Sequence, residues 1–100
     1  MVGVKIELGF YSDLIIKGES AYDVFCELQD YQDLGCLVGM GRLYEPENEK
    51  QFDALEEFMD KACSDDFTID DFKMLDISLG IGNIKVLAIA HNDEELAKLE

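Results

Sequence analysis

The sequence predicts an α+β fold, a two-layer sandwich of a mostly antiparallel sheet with two main helices in the order ββαβαββ. Three observations carry that prediction. The chain opens on a period-two apolar alternation, carries an apolar stripe at helical spacing between residues 52 and 62, and has a β-rich segment near its end that folds back on itself about a glycine. One hundred residues, 48% of them apolar, suffice for one core. The reading is therefore a single compact domain over 1–98. Leu99-Glu100 is set apart as the kind of remnant that a cloning site leaves before a purification tag, and is given no role.

In the opening strand Val2, Val4, Ile6, Leu8 and Phe10 alternate with Gly3, Lys5, Glu7 and Gly9, so one face is core. Ser12-Asp13 reads as a turn, and LIIK at 14–17 as a shorter strand that pairs back and ends at Gly18. Ser20 followed by Asp23 resembles a capping box, and Ala21, Val24, Phe25 and Leu28 share one helical face, giving a first helix over residues 20–31. CLVGMGRLY at 36–44 has strand character, with Gly39 and Gly41 read as a bulge or the close approach of another backbone. Pro46 suits a first helical position, and Phe52, Leu55, Phe58, Met59 and Ala62 form the stripe of a second helix over 46–63. From Leu75 to Ala90 a turn at Gly82-Asn83 pairs Ile81 with Ile84, Leu79 with Val86, Ile77 with Ala88 and Leu75 with Ala90. Asn92 caps a short last helix carrying Leu96.

The charge balance is lopsided: 23 Asp and Glu against 8 Lys and Arg, a formal net charge of −15. Nucleic acids and anionic membranes bind through clustered cations, and the basic residues here are scattered from Lys5 to Lys98. Direct nucleic-acid binding and membrane association are therefore not expected, and a basic protein surface is the expected partner. Three cysteines with no close pair fit free thiols in a reducing compartment, with Cys26 and Cys36 read as small core residues and the cytoplasm as the location. The longest apolar run, VLAIA at 86–90, is far too short to span a bilayer.

Between Glu45 and Asp71 only Lys50 and Lys61 oppose a run of carboxylates. On the second helix Glu49, Asp53, Glu56 and Asp60 follow spacings of four, three and four, which puts them on one narrow stripe. Only Lys61, four residues after Glu57, offsets it. The adjoining loop SDDFTIDD adds Asp65, Asp66, Asp70 and Asp71. These eight residues are the candidate partner-binding surface, an array of negative charge where a partner expects phosphates. The alternative is a solvated face that serves solubility alone.

Other chemistries find less. DDFTIDDF has no Gly at the sixth position of a calcium loop and interposes apolar residues. One His and no Cys-x-x-Cys leave no zinc spacing. Cys63 lies near a helix C-terminus among Asp60, Asp65 and Asp66, where dipole and charge both disfavour a thiolate, and His91 reads as a strand-end residue. GCLVGMG lacks the Gly-Lys-Ser/Thr ending of a phosphate loop. No catalytic, metal or cofactor site is expected.

In size and charge alone the chain resembles small acidic inhibitors of nucleic-acid-handling enzymes, such as phage anti-CRISPR and anti-restriction proteins or toxin immunity proteins. That resemblance implies a non-catalytic protein that occupies a basic cleft. A homodimer is also expected to be accessible, because Leu87 and Ile89 stand on the outer face of the proposed hairpin and would otherwise meet water.

Overall fold

The computed structural model describes residues 1–9, 11–79 and 82–100. Four strands, β1 (Val2–Leu8), β2 (Tyr11–Gly18), β3 (Asp76–Leu79) and β4 (Gly82–Ala90), form one antiparallel sheet in the order β2-β1-β4-β3. Between the two hairpins lie helices α1 (Ala21–Tyr31), α2 (Leu34–Tyr44) and α3 (Glu49–Ala62). A 3-10 turn at Pro46–Asn48 precedes α3, a 3-10 helix at Ile69–Met74 follows it, and α4 (Asp93–Leu99) closes the chain. The fold is α+β as expected, but the order and the count of two main helices are not. The segment expected as a strand at 36–44 is a helix.

The physical reason lies in residues just before it. Asp33 accepts a hydrogen bond from the Cys36 backbone N–H at 3.0 Å and caps the helix. Leu34, Leu37, Val38 and Gly41 then recur at helical spacing and are buried. Gly41 is a close-approach site: a Cβ there would lie 2.1 Å from Cε1 and Cζ of Phe52, itself fully buried on α3. Gly41 is thus not, as expected, a strand bulge or the site where another backbone approaches, but the place where the Phe52 ring packs on a helix.

The sheet's inner face is consistent across all four strands. Val4 pairs with Ile16 and Ile89, Ile6 with Leu14 and Val86, Leu8 with Ile84, and Ile84 with Ile77. These side chains join Val24, Phe25 and Leu28 of α1, the buried face of α2, and Phe52, Leu55 and Phe58 of α3 in one core. Phe58 also meets Phe72 at 5.2 Å and Phe67 at 5.8 Å between ring centroids, which fixes the loop after α3.

Both hairpins form, with turns that differ from the expected ones. In the first, the chain leaves β1 at Gly9, whose φ of +59° favours glycine. Asp13, with φ of 55°, lies inside β2, where Ser12 and Asp13 stand against the single residue Glu7 as a bulge. In the second, Ile77 pairs with Ile84 and Leu79 with Gly82, so Gly82 and Asn83 lie in β4 rather than in the turn. The offset is even, so Ile77, Ile84 and Val86 still face inward. Phe10 and Ile81 lie outside the described residues, and Ile84 pairs with Ile77 rather than with Ile81.

β4 carries its own bulge. Lys5 pairs with Ala88 and Ile6 with Val86, which leaves Leu87 as the extra residue. The bulge resets the alternation, so Ile89 turns inward and packs on the core, while Leu87 stays exposed. Ile89 is therefore not the open-face residue that the dimer expectation required. The three cysteines are free thiols as expected, but Cys26 and Cys36 are exposed rather than core residues, because they sit opposite the buried faces of α1 and α2. No described helix is long and apolar enough to cross a membrane.

Candidate functional site

α3 turns Glu49, Asp53, Glu56 and Asp60 outward, as their spacing requires, and all four are exposed. The stripe is not unopposed. Arg42, near the end of α2, reaches across the helix seam. Its guanidinium bonds Glu49 Oε1 at 3.3 Å and Glu56 Oε1 at 3.1 Å, and bonds Asp53 Oδ1 as well. The bond to Asp53 foremost raises the Arg42 pKa. One cation thus serves three carboxylates whose mutual repulsion would otherwise weaken α3. Placing Arg42 in a strand hid this contact, although its distance to the stripe is set by the same helix packing that Gly41 permits.

The loop acids serve local ends. Asp66 accepts from Lys61 Nζ at 2.8 Å and from Ser64 Oγ at 2.6 Å, and these two bonds hold its carboxyl well below the usual range, at about 2. Asp71 accepts from the Thr68 backbone N–H at 2.8 Å and completes a capping box for the 3-10 helix. Asp70 is turned to β4, where its Oδ1 lies 2.7 Å from His91 Nε2. The eight candidate residues therefore do not form one array. Glu49, Asp53 and Glu56 share Arg42, and Asp66, Asp70 and Asp71 are held locally. Among the described residues, Asp60 and Asp65 make no side-chain hydrogen bond or ion pair.

Beside the stripe lies a surface that the sequence reading missed. The outer face of α2 carries Cys36, Gly39, Met40 and Leu43, again at helical spacing, with Tyr44 at its margin. Met40 is 53% exposed, Leu43 73% and Tyr44 65%. Arg42 is the only charged residue in α2, and a hollow of about 100 Å³ lined by Arg42, Pro46 and Glu49 lies between the end of α2 and the start of α3.

A cleft of about 310 Å³ lies elsewhere, along β4, lined by Asp70, Lys73, His91 and residues 86–89. His91 sits at its end between two carboxylates, with Nδ1 3.0 Å from Glu95 Oε1 and Nε2 bonded to Asp70. Glu95 first and Asp70 second raise the imidazole pKa, so the charged form is favoured. The pair ties α4 and the 3-10 helix to the strand end, and neither partner is a thiol or hydroxyl that the ring could activate. Among the described residues, no three His, Cys, Asp or Glu side chains gather to hold a metal ion.

Comparison with known protein families, with curated proteins and with solved structures gave no match.

Proposed function

We propose that this chain is a small, acidic, non-catalytic binding protein of the cytoplasm that docks on a basic surface of another protein. The class of partner that presents such a surface is a nucleic-acid-handling enzyme, and the protein would act on it as inhibitors of anti-CRISPR, anti-restriction or immunity type do. The single observation behind this reading is the outward stripe of Glu49, Asp53, Glu56 and Asp60 on α3, in a chain of net charge −15. A surface of that sign attracts a basic partner over several ångströms and repels nucleic acid.

A second reading, that the acids serve solubility, draws support from Arg42 and from the local bonds of Asp66, Asp70 and Asp71. Affinity capture from native lysate at low and then moderate salt separates the two. A captured nucleic-acid-binding protein that elutes with salt, and is lost in the folded variant with Glu49→Gln, Asp53→Asn, Glu56→Gln and Asp60→Asn, favours the first. Capture unchanged by those substitutions leaves only the second.

A further inference from the structure

The docking surface just proposed has an apolar centre, and the helix that supplies it places an unexplained glycine there. Gly39 lies mid-helix, where glycine costs about 1 kcal/mol relative to alanine. Gly41 has a reason within the chain, the Phe52 ring. Gly39 has none: a Cβ added there meets nothing within 4 Å. It stands instead among exposed Cys36, Met40 and Leu43, four residues after exposed Gly35. Small residues spaced by four on an exposed face allow a second backbone to lie close along the helix.

The size of the face then says what else the partner must touch. Eleven residues of helix extend about 16 Å and present a face roughly 10 Å wide, well short of the ~800 Å² per partner of a stable interface. The contact must spread to neighbouring surface, and on the Arg42 side that surface is the carboxylate stripe of α3. A second copy of the chain would bring its own acids and, on this helix, only an Arg42 already engaged by three carboxylates. An anionic membrane would be repelled. A helix with an apolar stripe edged by Lys or Arg matches both halves.

We infer that the exposed α2 face of Gly39, Met40 and Leu43, with Glu49, Asp53 and Glu56 of α3, is a docking surface for a basic amphipathic helix of the partner protein. The inference rests on the acidic-surface reading and adds the apolar half, so the two can fail separately.

The probe is a labelled 18-residue helical peptide with leucine on one face and lysine on the other, compared with a scrambled peptide of equal composition by fluorescence anisotropy. The full-length chain is expected to bind the helical peptide at least tenfold more tightly than the scramble. Gly39→Gln, which should hold or raise stability, and Leu43→Gln should each remove that preference while leaving salt-dependent attraction. Equal affinity for both peptides, or a preference unchanged in Gly39→Gln, overturns the apolar half of the docking surface and leaves the acidic reading intact. Loss of all binding in the four-carboxylate variant together with normal binding in Gly39→Gln assigns recognition to charge alone. No binding of either peptide by the parent chain overturns both. Sedimentation showing a dimer that Leu43→Gln dissolves would give the face to a second copy instead.

Discussion

Helices α2 and α3 lie against each other and each buries four residues, yet they turn opposite chemistries outward. α3 hides Phe52, Leu55, Phe58 and Ala62 and shows solvent a row of carboxylates. α2 hides Leu34, Leu37, Val38 and Gly41 and shows Cys36, Gly39, Met40 and Leu43. The contrast explains why one was legible and the other was not. A period can be read only where the two faces differ, and in LGCLVGMGRLY both are apolar, so the branched and aromatic residues read as a strand. It also shows where function is to be sought, since an outward apolar face is the more unusual of the two surfaces.

The strongest way to break the pairing of the two helices is through the Phe52 ring. Phe52→Ala should cost about 3–5 kcal/mol in urea or thermal unfolding, because a fully buried ring is lost from both helices at once. Gly41→Ala should cost about 1–3 kcal/mol, since its Cβ collides with a ring that has no room to retreat. Adding Phe52→Leu should recover part of that loss, and simple additivity of the two changes would argue against the contact. Asp33→Ala should cost about 1 kcal/mol by uncapping α2.

Arg42→Gln sharpens the comparison electrostatically. It frees three carboxylates to repel one another, so it should lower stability at low salt by less than the glycine change, and the deficit should shrink as salt rises. A deficit independent of salt would mean that Arg42 matters through its aliphatic stem. Neutralising the whole stripe relieves repulsion along α3 but also strips Arg42 of its partners, so that variant should be no more stable than the parent.

The smallest effect is a pH dependence away from the helix pair. The His91 pKa is raised by Glu95 and Asp70, so its contribution is fully present below the unfolded value near 6.5 and fades as pH climbs through the raised one. NMR titration should place its midpoint above 6.5, and Glu95→Gln or Asp70→Asn should lower it. Asp66 works in the opposite window: its contribution holds above the usual carboxylate range and is lost as pH falls toward about 2.

Much of the remaining fold was legible because a local rule and a global one agreed. The Ser20 and Asn92 caps form as their residues imply, with Asp23 N–H donating to Ser20 Oγ at 3.3 Å and Glu95 N–H to Asn92 Oδ1 at 2.9 Å. The α3 stripe and the inner face of β1 follow from periodicity alone. The terminal hairpin was found but misregistered, because a shift by an even number of residues keeps Ile77, Ile84 and Val86 inward. The Leu87 bulge left no trace in VLAIA, where a continuous apolar run has no alternation to reset. For α2 the available signal was Asp33 with Leu34, Leu37, Val38 and Gly41 behind it. For the candidate site, the acids were visible but not their distant partners, since Arg42 and His91 reach them only through folding.

The central claim is that the outer surfaces of α2 and α3 form one recognition face. Titrating isotopically labelled protein with the lysine-leucine helix and following backbone amide shifts tests it most directly. The account predicts shifts that run together from Cys36 through Tyr44 and along the outward side of α3 from Glu49 to Asp60. Shifts confined to α3, or centred on the cleft of Val86, Leu87 and His91, would contradict it.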